Sequence, residues 1–282
     1  MSFQRFDRAN DIIENQRTTV TSGLWTGGST ELTSFVTAST TSSYFVEVYN
    51  ANPATTGEAQ FALGYAHIDG SGSVGNTTKT TSGDRQTAAL YRQFRNLLLA
   101  PNTDEFTFTS HADSSDDFYF ISFQRARQRE KIDPGNWEIQ LTGQMSGKAA
   151  KIQLIDDSGA TNNPTVNEGG RVFNVVSGSI SDGVNTTAAN QPGGALGQFY
   201  PDLGLILLDA VQLEASGGLD SNARDADMFI SRSAVFYNSI KSGSSFQARR
   251  EEEISSTNYF VRVNNKKFNF SSNPTFSTGS DG

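Results

Sequence analysis

Residues able to do chemistry are few and scattered. The chain holds two histidines, His67 and His111. A hydrolytic triad needs a histidine beside a nucleophile, and a zinc site needs several ligands at set spacings. His67 falls inside a predicted strand and His111 in a polar loop before Ala112-Asp113; neither belongs to HExxH or a related pattern. Both read as ordinary residues. Carboxylates cluster at Asp116-Asp117, Asp156-Asp157 and Glu251-Glu252-Glu253. Glycosidase chemistry needs two acids facing each other across a cleft, which adjacency in sequence does not supply. The two Asp pairs flank predicted strands and read as solvated turn carboxylates. The loop Asp113-Ser114-Ser115-Asp116-Asp117 has oxygen ligands for calcium but lacks the full EF-hand pattern. Gly70-Ser71-Gly72-Ser73-Val74-Gly75 is glycine-rich like a phosphate cradle. A P-loop, however, needs GK[ST] opening a helix, and here Asn76-Thr77-Thr78-Lys79 continues the loop.

The last loaded group is basic. Arg125, Arg127, Arg129 and Lys131 alternate, so their charges share one face if the preceding strand continues. Two readings stand: a solvated edge that discourages stray strand pairing, or a contact patch complementary to an acidic surface of another subunit. Acidic partners within the chain include Glu251 to Glu253. The inventory as a whole predicts no enzyme, no cofactor and no metal.

The elements that must carry these residues are mostly strands. Tyr44 to Tyr49 is rich in β-branched and aromatic residues. Phe61, Leu63 and Tyr65 share one face of a strand over Phe61 to Ile68, and Trp137, Ile139 and Leu141 share a face of another. Further strands are expected over Leu32 to Ala38, Glu105 to Thr109, Phe118 to Gln124, Ile152 to Ile155 and Arg171 to Val176. Gln198 to Asp209 reads as a Pro-Asp turn leading into a buried strand. Asp133-Pro134-Gly135-Asn136 has the residues of a turn. Thr87 to Leu99 is the best helix, with Leu90, Phe94, Leu97 and Leu98 at i, i+4, i+7 and i+8. Ala226 to Ile240 is compatible with a helix or a broken strand. A long Gly/Ser/Thr loop covers Asp69 to Gly83.

Both ends are unusual. Met1 to Ser22 is polar, with Ile12 and Ile13 its main apolar anchor and a helical turn expected within Asp7 to Gln16. It reads as a frayed terminus or as an arm laid over a neighbour. Fully extended, such a segment reaches about 70 Å, against a radius of gyration of about 19 Å for a globule of this size. Near the other end, the charged run Arg249-Arg250-Glu251-Glu252-Glu253 precedes two alternating segments. Tyr259, Val261 and Val263 share one face; Phe268, Phe270 and Ser272 share the next, with Asn264-Asn265 as a turn between them. One buried aromatic side chain covers about 150–250 Å². Phe268, Phe270 and Phe276 could therefore supply much of a half-interface of about 800 Å².

Composition sets the outer bounds. A chain of 282 residues can bury a core, and 35% hydrophobic residues with 20 Phe describe thin β layers joined by long turns. There is no cysteine, hence no disulfide framework or thiolate metal site. The start, SFQRFDRANDIIENQR, has no apolar signal-peptide core. The longest apolar run, Leu203 to Val211, falls short of the ~20 residues that span a bilayer, so no membrane partner is expected. Net charge is −8, the wrong sign for a general binder of nucleic acid.

Several phrases together carry a family likeness: FQRFDRANDIIENQRTTVTSGLWTGG, YFVEVYN, ALGYAHIDGSGS, YRQFRNLLLAPN, DPGNWEIQL, GQFYPDLGLILLDA and SSTNYFVRVNNKKFNFSSNPTF. Over most of its length the chain resembles a virion structural protein of contractile-tailed marine phages of the cyanophage type. That resemblance implies a non-enzymatic particle component, with the tail baseplate as one place for it, and brings no catalytic residues.

The expectation is a mainly β fold, with β-sandwich-like layers, long Gly/Ser/Thr loops, one or two short helices and extended terminal arms. Its parts would be an N-terminal arm over 1–24, a β domain over 25–145, a second β-rich region over 146–264 that can belong to the same domain, and a tail over 265–282. The function expected is a structural subunit of a tailed-phage virion, in the tail or baseplate. It would bind other virion proteins, and copies of itself, through β edges and terminal arms, and would be assembled in the host cytoplasm. The alternatives are a capsid or neck protein, and a carbohydrate- or receptor-binding β module. The expected interface residues are Phe3, Phe6, Ile12, Ile13, Arg125, Arg127, Arg129, Arg249, Arg250, Tyr259, Phe268, Phe270 and Phe276.

Overall fold

A computed structural model describes residues 12–38, 44–72, 86–108, 115–145, 148–160, 164–184, 195–216, 219 and 231–259. Among these residues the fold is mainly β: thirteen strands in one sheet, with four α-helices. The strands are β1 (Ile12–Gly23), β2 (Glu31–Leu32), β3 (Phe45–Tyr49), β4 (Ala59–His67), β5 (Asp117–Phe123), β6 (Lys131–Met145) and β7 (Lys148–Asp156). They continue with β8 (Thr165–Asn167), β9 (Gly170–Ser179), β10 (Gly183–Val184), β11 (Gly197–Tyr200), β12 (Leu205–Asp209) and β13 (Phe246–Tyr259). The helices are α1 (Gln86–Leu98), α2 (Arg125–Gln128), α3 (Ala210–Ala215) and α4 (Arg232–Gly243). The main path through the sheet runs β1-β13-β6-β7-β9-β11-β12-β5-β4-β3, with β2 also on β13 and the short β8 and β10 on β9. The chain falls into two compact units, Thr21–Glu252 and the pair Met1–Val20 with Glu253–Gly282.

Within Thr21–Glu252, period-two burial builds a core from one face of nearly every strand. Val46 and Val48, Phe61, Leu63 and Tyr65, Tyr119, Ile121 and Phe123, Trp137, Ile139 and Leu141, and Phe246 and Ala248 all join one hydrophobic cluster. Strands far apart along the sheet meet in it: the Phe246 ring lies 5.4 Å from Phe61 and 5.6 Å from Phe123. The sheet therefore rolls over itself, and the layers anticipated from composition are two parts of one continuous sheet. Residues 31–36 help close the roll, since Glu31 and Leu32 pair with β13 and Val36 bridges Tyr49 at the edge of β3. Helix α4 packs into the same core through Phe236 and Ile240. On the opposite face of β4, β5 and β12, α1 supplies Tyr91 and Leu98 against Phe118, Phe120 and Leu207. Strands β5 and β12 are thus covered on both sides. That accounts for their apolar runs, FYFI and LILL.

Several expectations need correction. Ile12 to Gln16 is strand, not a helical turn. The strand expected over Leu32 to Ala38 shrinks to β2 and the Val36 bridge, and the one near Glu105 to the single bridge Phe106–Ser115. In α1, Tyr91 rather than Leu97 faces the core; Leu97 is 50% exposed. The ambiguous region ending at Ile240 is helical over α4. Asp133-Pro134-Gly135-Asn136 does not reverse the chain: β6 runs through it. Opposite, β13 keeps step from Ala248, paired with Trp137, to Arg250, paired with Ile132, so these four residues bulge opposite Arg249. Gly135 has φ +80°, a value that favours glycine. Its N–H donates to both carboxylate oxygens of Asp156, at 3.0 and 2.8 Å.

Candidate interface

The basic cluster is placed by α2, which sits between β5 and β6. A helix replaces the strand continuation assumed for Arg125 to Lys131, so the charges do not share one strand face. Gln128 is buried beneath it and donates to Asp202 O at 2.8 Å, fixing the helix on the β11–β12 turn. Arg129 ends the helix at φ 57°, and its N–H returns to Arg125 O. The charged side chains then diverge to separate acids. Arg127 Nη2 meets Glu58 at 2.7 Å, Arg129 Nη1 meets both oxygens of Glu252 at 2.9 and 3.0 Å, and Lys131 meets Glu251 at 2.8 Å. Arg250 adds a second cation on Glu252 at 2.8 Å, and its Nη1 donates to Arg127 O at 3.4 Å. Burial would push the Glu252 carboxyl up, but Arg129 and Arg250 outweigh it and hold the group below its ordinary value.

This arrangement uses Arg127, Arg129, Lys131 and Arg250 as a latch that ties α2 to β13 and to Glu58 ahead of β4. The acidic partners anticipated at Glu251 and Glu252 are the ones engaged. Arg125 and Arg249 are exposed and take part in no ion pair among the described residues. Among the described residues they are the members of the cluster that no acid engages.

The second interface element lies in the other unit. Residues 12–20 of β1 and 253–259 of β13 form adjacent strands. Arg17 pairs with Glu253 at 3.1 Å, and Ser256 Oγ donates to Gln16 O at 3.4 Å. Gln16 to Val20 and Glu253 to Asn258 are exposed, including two apolar side chains, Val20 at 41% and Ile254 at 51%. Among the described residues the pair shows no covered face, and a two-stranded ribbon of that kind is marginal by itself. Ile12, Ile13 and Tyr259 belong to these strands, but their side chains lie outside the described residues, as do Phe3, Phe6, Phe268, Phe270 and Phe276 entirely. His111, Asp113 and Ser114, part of the proposed calcium loop, also fall outside. The remaining exposed large apolar side chains are Leu97, Val166, Ile180 and Leu203, and none of the six is aromatic.

A group of buried polar residues escaped the sequence reading. Asp117 and Asp156, expected as solvated turn carboxylates, are 2% and 1% exposed. Tyr65 Oη donates to Asp117 Oδ2 at 2.7 Å, and Ser115 Oγ donates to Asp117 O at 2.8 Å. Asp209 caps α3 by accepting from Val211 N at 3.0 Å. Arg232 and Glu214, both largely buried, stand 3.8 Å apart. Burial first, and the Asp117 charge second, push the Tyr65 hydroxyl well above its ordinary value, so it stays protonated as a donor. The Tyr65 to Asp117 bond joins β4 to β5. His67 Nδ1 accepts from Asp69 N at 3.0 Å within its own turn. Among the described residues no set of three or more His, Asp or Glu side chains converges on a common point as metal ligands would, and no helix is long and apolar enough to cross a membrane. Comparison with protein-family models, with curated proteins and with solved structures gives no match to this chain.

Proposed function

We propose that this chain is a structural subunit of a tailed-phage virion, placed in the tail or baseplate, and that it holds neighbouring virion proteins through β edges and its terminal segments. The observation that carries the reading is the exposed ribbon made from β1 and the end of β13. Segments from both ends of the chain lie side by side there, with polar, strand-forming side chains open on the surface. Contacts from a neighbour would supply what a two-stranded ribbon lacks. The phrase-level resemblance to virion proteins supplies the setting. The buried polar groups fit the same reading as internal fastenings, and it assigns them no turnover.

The test is to purify particles of the phage that encodes the chain, identify their proteins by mass spectrometry, and label them with gold-tagged antibody. Labelling at the tail end is the expected result. Labelling confined to the head or neck removes the tail assignment. Absence from the particle removes the virion assignment altogether.

A further inference from the structure

We infer that α2 and the turn after it form a strained strap, held shut by Glu252 and poised to lift from the sheet as a local unit. The inference goes beyond the assembly reading and does not depend on it. Among the described residues only two non-glycine residues, Arg129 and Ser244, have positive φ. Ser244 ends α4 at φ 69°, ψ −1°, in the left-handed conformation that commonly caps helices. Arg129 ends α2 at φ 57°, ψ −97°, far from the ψ of about +30 to +60° at which residues with a side chain are tolerated there. A backbone so placed is costly and persists only where surrounding contacts enforce it. Glycine would carry less strain at this position; what the arginine adds is its grip on Glu252.

The closed strap carries a second cost. Arg127 Nε is buried with no hydrogen-bond partner among the described residues, and a buried donor in that state is penalised. Few holds oppose these costs. No residue of α2 joins the hydrophobic core. Gln128 is seated on the β11–β12 turn, donating to Pro201 O at 3.3 Å and Asp202 O at 2.8 Å. Glu252 accepts from Arg129 through both oxygens and from Arg250 through one, while Arg250 reaches Arg127 O. Arg127 also meets Glu58. The Arg129 side chain is 56% exposed, and exposed ion pairs are individually weak against backbone strain. The flanking strands, by contrast, are anchored by the buried Phe123 and Ile132. α2 therefore opens ahead of them. Opening withdraws both costs, leaves the sheet intact, and releases Arg127, Arg129 and Arg250 from Glu58 and Glu252 in one step.

Trypsin reads the opening directly, because Arg125 and Arg127 place cleavable bonds within α2. The full chain is digested briefly, and cutting after each of these residues is followed by mass spectrometry. Each rate is divided by that of an unfolded peptide of the same sequence. Wild type is expected to be cut in α2 several-fold faster than after Arg171 in β9. Arg129→Gly removes an ion pair but relieves the strain, and is expected to slow the α2 cuts several-fold. Glu252→Gln keeps the strain, loosens the hold, and is expected to speed them several-fold. Ser244→Gly, at the relaxed cap, serves as the reference, and circular dichroism checks that all three variants fold. An ordinary ion-paired turn would give R129G and E252Q the same sign. Faster or unchanged cutting in R129G, unchanged cutting in E252Q, or a wild type cut no faster in α2 than in β9 overturns the inference.

Discussion

Trp25 shows at the scale of one residue how the roll is fastened. Its rings lie 6.0 Å from Phe61, 6.0 Å from Phe123 and 5.0 Å from Phe246, and its Nε1 donates to Phe246 O at 2.9 Å. Trp25→Ala is expected to cost about 3–5 kcal/mol. Trp25→Phe keeps most of the apolar contact but strands a buried carbonyl, for about 1–3 kcal/mol. Urea midpoints of the two variants would separate packing from hydrogen bonding. Titration gives a second prediction with two opposite signs. Burial, as the leading cause, raises Asp133 above its ordinary 3.8. Its contribution to stability is therefore full below that value and is lost as pH rises through the folded pKa. Glu252 is lowered from 4.5, so its contribution is present above that value and is lost as pH falls through the folded pKa. Thermal unfolding between about pH 3 and about pH 7 should show wild type losing ground to Asp133→Asn as pH rises, and to Glu252→Gln as pH falls. Residues of this kind were poorly legible. Asp117 and Asp156 look like surface turn residues because their partners, Tyr65 and the Gly135 N–H, come from elements distant in sequence.

The elements divide by whether their own side chains reveal the buried face. β4 and the middle of β6 do, since Phe61, Leu63 and Tyr65, and Trp137, Ile139 and Leu141, alternate with smaller or polar neighbours. In α1 the helix itself is legible, while its orientation is settled by Tyr91, which donates its hydroxyl to Ser115 O at 2.9 Å. α4 resists reading because Ser233, Ser239 and Gly243 occupy its buried face beside Phe236 and Ile240. Small residues there allow close approach, and they also erase the apolar period. A β-carbon on Gly243 would collide with the Gln140 carbonyl of β6. Gly243→Ala is thus expected to destabilise by about 1–3 kcal/mol, against a near-neutral effect for the exposed neighbour Ser242→Ala. Equal midpoints for the two variants in chemical denaturation would contradict this packing. The Asp133–Asn136 bulge teaches a related lesson. Its residues have turn chemistry, yet pairing on both sides of it carries the strand onward.

For the whole molecule, composition and alternation indicated a mainly β fold and layered packing. They could not show that one sheet supplies both layers, because that depends on pairings such as Phe246 with Leu32 and with Ile139 across most of the chain. Deleting residues 265–282 removes none of the described elements. The truncated chain is expected to keep the core within Thr21–Glu252 folded while losing incorporation into particles. Retention of normal incorporation, measured by quantitative mass spectrometry of purified virions, would rule out attachment through that tail.

The position of β13 has a consequence for the timing of synthesis. This strand stands between β2 and β6 and brings Phe246 into the shared core, yet the ribosome makes it after every other strand and helix described here. Until it emerges, β6 keeps an open edge and Trp25 lacks one of its ring partners. The roll is therefore closed by a long-range, late event, which makes folding slow relative to helical proteins of similar size. A nascent chain interrupted before Phe246 has no finished core to present. Synthesis through β13 thus acts as a checkpoint: only a chain that has reached it acquires the paired β1 and β13 strands.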